Sequence, residues 1–189
     1  MTRDEQGNWS RLARPEPGFA RGPRASLVWT PRSSGQVGLG LLEPTDDSQL
    51  RRFFFRLSPE TLYRRFHSPI ARPEQAQPER LLDLDHHDRE AVVAVVENEI
   101  VGVARYARRP DSDSAEVAVV VADEWQRQGL ATRMLGALTE RALSEGVRQF
   151  AMNMQSDNTA VLRLVRRLYP DVRLSHSQGT CEPVVRVGS

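Results

Sequence analysis

The sequence predicts an α/β domain whose sheet is mostly antiparallel, with one β-α-β crossover. Two observations carry this. Three apolar segments, Ala91–Val96, Ile100–Ala107 and Ala115–Ala122, follow one another with short polar turns between them, the pattern of an antiparallel meander. The third runs into Gln126-Arg127-Gln128-Gly129-Leu130-Ala131-Thr132, a glycine-containing turn that opens a long amphipathic helix. Strand, turn and helix in that order make an anion site. The first N–H groups of a helix lack intrahelical partners and carry the positive end of its dipole, so a pyrophosphate fits there without a metal. Gly129 lets the backbone approach such a ligand and small Ala131 keeps the entrance open. No Gly-Lys-Ser/Thr follows, and the glycine spacing is not that of a dinucleotide fingerprint.

The elements are expected in this order. Residues 1–35 are rich in Arg, Pro, Gly and Ser and read as a flexible arm. Order begins near Gln36, with a first strand through Val37, Leu39 and Leu41. Thr45-Asp46-Asp47 caps a helix carrying Leu50, Phe53, Phe54 and Leu57, and Ser58-Pro59-Glu60 starts a second with Leu62, Tyr63 and Phe66. Pro69, Pro73 and Pro78 mark a loop, and Leu81-Leu82-Asp83-Leu84 reads as a helical turn. After the meander, Leu130, Met134, Leu135, Leu138 and Ala142 describe one helical face that ends at Gly146. A strand over Val147–Met154, a helix with Val161, Leu162, Val165 and Leu168, and two short strands, Val172–His176 and Cys181–Val187, complete the chain.

Composition narrows the function classes. The chain has 189 residues, enough for one domain with a real core, and a net charge of +1, which makes no general electrostatic demand for nucleic acid. All 26 basic residues are Arg, so the chain has no lysine of its own to modify. Its single cysteine, Cys181, excludes an internal disulfide and suits a reducing cytoplasm. No apolar run approaches the ~18–20 residues of a membrane helix, and no secretory leader is visible.

The Gln126-x-x-Gly129-x-Ala131 turn resembles the acyl-CoA pyrophosphate loop of the GNAT N-acetyltransferases. The likeness covers about residues 36–187. It is closer still to the bacterial Pat-type protein lysine acetyltransferases, through Leu57-Ser58-Pro59-Glu60-Thr61-Leu62-Tyr63-Arg64-Arg65-Phe66, Asp85-His86-His87-Asp88-Arg89-Glu90-Ala91, the Ala115–Val121 segment and Ser156-Asp157-Asn158. The resemblance implies the GNAT fold with helices on both faces of the sheet, and a single GNAT domain over residues 36–187. It also implies acetyl-CoA as co-substrate held by Gln126, Arg127, Gln128, Gly129, Leu130, Ala131 and Thr132, with no metal.

Glu116 is the candidate base. A lysine amine is protonated at pH 7, with a reference pKa of ~10.4, and must lose a proton before it attacks a thioester. A carboxylate on a half-buried strand can take that proton, and burial would raise its pKa towards the useful range. The resemblance places the general base here; the alternating pattern also allows a solvent-facing residue. Val119, Val120 and Val121 are core by composition. The resemblance adds a strand that bulges and splays, whose backbone pairs with the pantetheine arm, with an N–H near Val119 facing the thioester oxygen. Asn158 is either a contact to that arm or part of a helix start capped by Asp157 or Ser156.

The chain departs from the family pattern at Val165, where many members carry an acid-donating Tyr. A thiolate leaves readily, and no general acid is assigned. Tyr169-Pro170 is a candidate to shape the acceptor end. His86 and His87, adjacent on an extended segment, point opposite ways and make a poor metal pair; the resemblance places them near the acceptor mouth. Arg51-Arg52 and Arg166-Arg167 read as solvated faces or as contacts to the 3′-phosphate of CoA. Cys181 reads as core.

The expected activity is acetyl transfer to a lysine ε-amine of a protein, by direct attack in a ternary complex. Pat-type relatives act on AMP-forming acyl-CoA synthetases, which implies such a partner, with no nucleic acid and no membrane involved. The chain length leaves no room for the sensing domain that some relatives carry. The alternatives are a small-molecule amine acetyltransferase and a non-catalytic acyl-CoA-binding module.

Overall fold

The computed structural model describes residues 27–29, 36–67, 78–177 and 179–188. Its strands are β1 (Leu27–Trp29), β2 (Val37–Leu41), β3 (Arg89–Val96), β4 (Glu99–Arg108), β5 (Ser114–Val121), β6 (Gln149–Met152), β7 (Met154–Gln155), β8 (Arg173–Ser177) and β9 (Thr180–Arg186). Its helices are α1 (Asp47–Arg56), α2 (Pro59–Phe66), α3 (Leu130–Ser144) and α4 (Thr159–Leu168). The strands form one sheet, β1 through β5 antiparallel in sequence order, then β6 parallel to β5. Strands β6, β7 and β8 all pair antiparallel with β9.

Two strand expectations change. The arm expected over residues 1–35 contains a strand: Leu27–Trp29 pairs with Leu39–Val37 of β2. Leu27-Val28-Trp29 is an apolar triplet with β propensity, outweighed in the sequence by the Arg/Pro-rich residues around it. The rest of the arm, and Pro69 and Pro73, lie outside the described residues. The strand expected over Val147–Met154 is split. Its two pieces keep one register on β9, with Ala151 opposite Val184 and Met154 opposite Cys181, and Pro183 falls at the gap. Proline has no N–H to donate, so the ladder is interrupted there.

The sheet is buried on both sides. On one face α3 packs Leu130, Met134, Leu135, Leu138 and Ala142, each at most 1% exposed, against β3, β4 and β5. Burying a large apolar side chain contributes about 1.5–3 kcal/mol. Helix α3 crosses β4 at Gly102, where a β-carbon would come within 2.9 Å of Met134 Sδ. On the other face α1 seats Leu50, Phe53 and Phe54, and α2 seats Leu62, over Ala91, Val93, Val103 and Val120. A bulge places Val101 between Gly102, opposite Ala94, and Ile100, opposite Val95. The extra residue reverses the alternation, so Val101 faces α3 while Ile100 faces α1.

Local signals set most helix starts. Ser58 accepts the Thr61 N–H at 3.2 Å and caps α2. Asp46 does not cap α1 as expected: its carboxylate turns back to the Glu43 N–H at 3.0 Å and closes a 3-10 turn at Pro44–Asp46. The helical turn expected over Leu81–Leu84 lies earlier in the chain: a 3-10 turn spans Pro78–Leu81, and Leu82, Asp83 and Leu84 are not helical. Gly146 follows α3 at φ 82°, a left-handed position open to glycine.

The C-terminal end of α3 carries a polar network. Glu90, fully buried on β3, accepts from Arg141 Nε at 3.0 Å and contacts His86 Nδ1 at 2.9 Å. Arg141 also donates to His86 O and pairs with Glu145, and Glu145 contacts His87 Nδ1 at 2.7 Å. Breaking a buried pair from one side leaves an uncompensated charge. Glu90→Ala is therefore expected to lower unfolding free energy by about 3–5 kcal/mol. The double variant Glu90→Leu with Arg141→Met should lose less than Glu90→Ala, as read by urea denaturation.

Candidate active site

The site is built where β5 and β6 part. Strand β5 pairs with β6 only over Ser114–Val117, yet it continues against β4 as far as Val121. The Ala122 N–H donates to Val101 O at 2.9 Å, which fixes the parity of the β4–β5 ladder. Even-numbered residues of β5 turn their backbone groups to β4, and odd-numbered ones turn them away. The N–H and C=O of Val119 therefore point to the side that β6 has left, while its side chain packs on the α3 face. The resulting groove, of about 1250 Å³, runs between α2, the Gly129 turn, α4 and the β8–β9 edge. The bulge expected in β5 is absent from its register with β4; the bulge lies on β4 itself, at Val101.

The turn entering α3 is shaped by backbone, not by its glutamines. Gly129 sits at φ 84° and Arg127 at φ 59°. Gln126 donates to Val121 O and to Thr61 Oγ1, both at 3.1 Å, so its amide binds protein. Gln128 donates to Glu124 O at 2.8 Å and does not line the groove. The groove sees Gly129, Ala131, Thr132 and the first turn of a 15-residue helix, while Leu130 is anchored in the core beneath. A β-carbon at Gly129 would meet nothing within 4 Å, so it is the left-handed φ that favours glycine there.

Asp123 ties this turn to α2. It accepts from Ser58 N at 3.0 Å, Ser58 Oγ at 2.7 Å and Thr61 Oγ1 at 2.8 Å. Burial opposes its charge, but these bonds outweigh it and hold its carboxyl below the ordinary value. With Gln126 bonded to Thr61, the start of α2 and the start of α3 are clamped together. At its other end α2 finishes in His67, left-handed at φ 56°, whose Nε2 donates to Asn153 O at 3.2 Å in the gap between β6 and β7. Helix α2 thus bridges the groove from the turn to the parted strands.

Glu116 lines the groove beside Arg109, at 3.4 Å. Its side chain is 69% exposed, so the half-buried setting expected for it is corrected: even-numbered β5 residues face the α2 side, and at Glu116 that side is open. Val120 and Val121 are buried, and Val119 is partly so. Asn158 is buried on the groove wall, and its Oδ1 accepts the Val161 N–H at 3.3 Å. Asn158 is thus itself the cap of α4, in place of Asp157 or Ser156.

Other candidates lie elsewhere. His86 and His87 belong to the network at the far end of α3, not to the mouth of the groove, and each ring takes a separate carboxylate. Tyr169 does not shape the acceptor end: its hydroxyl is bonded to Thr139 Oγ1 at 2.7 Å and its ring stacks edge-on with Phe150. Val165 is fully buried. Arg51 and Arg52 are taken by Asp47 and Glu99, away from the groove, whereas Arg167 lines it. Cys181 is 1% exposed, and burial pushes its thiol up. Among the described residues no cluster of metal ligands is present, and no helix is long and apolar enough to cross a membrane. The sequence reading missed His67, Arg65, Arg105 and Arg109. Their only sequence signal was the amphipathic spacing of α2 and the in-out alternation of β4 and β5.

Residues 52–168 match the family model of the acetyltransferase (GNAT) family. The chain is 34% identical over 131 residues to Acetyltransferase PA5475 of Pseudomonas aeruginosa, which covers 67% of this chain and 68% of that protein. It is also 34% identical over 114 residues to Acetyltransferase Pat of Mycolicibacterium smegmatis, 59% of this chain and 34% of that longer protein. The fold matches the GNAT domain of S. lividans PAT with a TM-score of 0.77 at 23% identity, over 85% of this chain and 96% of that one. With a mostly antiparallel sheet parted at β5 and β6 and a glycine turn at the head of α3, the chain belongs to the GNAT acetyltransferase family. Within that family it resembles the Pat acetyltransferases.

The Asp123 clamp gives a pH signature. A carboxyl lowered on folding contributes stability above its unfolded value, and that contribution is lost as pH falls through the folded one. The difference in unfolding free energy between wild type and Asp123→Asn is expected to be full at pH 7 and to shrink below about pH 4. Denaturant titrations across that range measure it.

Proposed function

We propose that the chain is an acetyl-CoA-dependent protein lysine N-acetyltransferase. The observation that carries this is the free backbone edge at Val119, which leads within ten residues to Gly129 at the head of α3. An extended pantetheine arm adds to such an edge as a strand would, and its pyrophosphate falls on the N–H groups of the helix start. Family membership supports the same co-substrate.

Each residue then has a task. The Val119 N–H donates to the thioester oxygen as negative charge develops there. Glu116 lies three residues earlier, about 10 Å along the strand at ~3.3 Å per residue, a span that suits proton removal through a bridging water. Arg109 lies beside the Glu116 carboxylate, at 3.4 Å. The neutral amine attacks the thioester carbon, a C–N bond forms, the C–S bond breaks, and CoA leaves as thiolate with no covalent enzyme intermediate. Asn158, fixing the start of α4, contacts the arm. An open acceptor end, with Glu116 69% and Glu182 47% exposed, suits a lysine presented by a protein rather than an enclosed small amine. Acyl-CoA synthetases are the first acceptors to test, in line with the Pat likeness.

The test is acetyl transfer to such a synthetase, followed by CoA release and by label on the acceptor. With no lysine in the enzyme, side-chain label belongs to the acceptor. Glu116→Gln is expected to lose on the order of a hundredfold in kcat while binding acetyl-CoA as before. Transfer to small amines but to no protein would favour the small-molecule reading. Gly129→Ala is expected to cost about 1–2 kcal/mol in stability through its φ. It should also weaken acetyl-CoA binding by roughly tenfold, equivalent to about 1.4 kcal/mol, in calorimetric titration.

A further inference from the structure

Four arginines line the acceptor side of the groove, and they divide into two kinds. Arg64 pairs with Glu60 at 2.9 Å, and Arg109 lies between Glu116 and Glu182 at 3.4 and 3.5 Å. Arg65 and Arg105 have no carboxylate within ion-pair distance among the described residues. The Arg65 guanidinium stands over the Phe66 ring at 4.8 Å, at the end of α2. The acid nearest in influence to Arg105 is Asp83, and Asp83 is held at 2.6 Å by Arg89, itself a further cation beside Arg105.

Their placement is specific. Arg105 lies on β4 directly across from Ala118, the residue before Val119, and across from Ala91 on its other side. Its side chain is on the face that α2 covers, and α2 brings Arg65 to it. Both groups are half-buried. Burial, and then the charge of Arg105, push Arg65 down to about 10, and burial with the charge of Arg89 lowers Arg105. Two like charges on one partly dry wall lack a counter-charge among the described residues. A surface arginine with no such role would extend into water.

We propose that Arg65 and Arg105 form a carboxylate-binding subsite beside the transfer centre. The carboxylate is carried either at the end of the acyl chain or on the acceptor next to its amine. The charge of the surroundings selects a monoanion: Glu116 and Glu182 on the same wall oppose a phosphate, and the helix terminus at Gly129 offers phosphates a separate place. A carboxylate between two guanidiniums gains charge-assisted, geometrically matched hydrogen bonds and removes their repulsion. The inference rests on the acyl-CoA reading of the groove.

Two binding titrations on the full chain separate the sources. In the first, succinyl-CoA is compared with butyryl-CoA, of the same chain length without the charge. In the second, the CoA-loaded protein is titrated with lysine peptides carrying Glu or Gln beside the lysine. The expected result is a preference of roughly tenfold or more for the carboxylate in one of the two pairs, the size of one or two charge-assisted bonds. Arg65→Gln and Arg105→Gln should abolish it with acetyl-CoA affinity unchanged, and Arg105→Lys should keep part of it. A preference in the first pair assigns the carboxylate to the acyl chain, and one in the second assigns it to the acceptor. Both Gln variants should melt at or above the wild type, because each relieves a like-charge contact; lower melting of both overturns the claim that these charges are unpaired. Equal affinities in both pairs, with acetyl-CoA still bound, overturn this inference alone. A wild type that binds no acetyl-CoA overturns the acyl-CoA reading and this subsite with it.

Discussion

The site depends on the parting of β5 from β6 after Val117. A strand held on one edge and released on the other keeps its shape, because β4 fixes it, and offers polar backbone groups that β6 does not use. Gln126 meets one of these, at Val121 O, from the turn that follows. Val119 is left open between the last paired residue and that plug. On the opposite wall Asn153 turns its backbone away from β9, to the side that β5 has left, and its carbonyl accepts from His67. One parting, of β5 from β6, thus leaves backbone groups open on both walls of the groove.

Helix α2 converts that opening into a bounded site. Its first turn is bound through Ser58 and Thr61 to Asp123 and Gln126, and its last residue reaches the β6–β7 gap. It therefore fixes the width of the groove at both ends. The same helix carries Arg64 and Arg65 on the groove side and Leu62 in the core, so packing and recognition are set by one short element. At the far end of α3, the Glu90–Arg141–Glu145 network holds β3 and its entry loop against the helix. That network holds the two conspicuous histidines away from the groove.

Much of the fold was legible in local pattern. The meander was visible because Val92, Val93, Val103 and Val117 lie in runs bounded by polar turns, and the α3 face because Leu130, Met134, Leu135 and Leu138 recur at helical spacing. Gly129 was legible because a left-handed turn at a helix start has few alternatives to glycine. Strand β1 was not, since three residues gain nothing until β2 supplies their partner. The exposure of Glu116 was not either, because alternation along β5 cannot say which face is covered at that point.

The sequence by itself determined the order of the four helices and of the central strands, the apolar faces, the cap of α2 and the turn into α3, all of which depend on residues a few positions apart. Only the tertiary structure decided what those elements enclose. Asp123 meets Ser58 from 65 residues away, and His86 meets Arg141 from 55. Arg65 and Arg105 come to line one groove because α2 packs over the face of β4 that carries Arg105. Such contacts depend on which surfaces the chain brings together, and no spacing within a single segment encodes that.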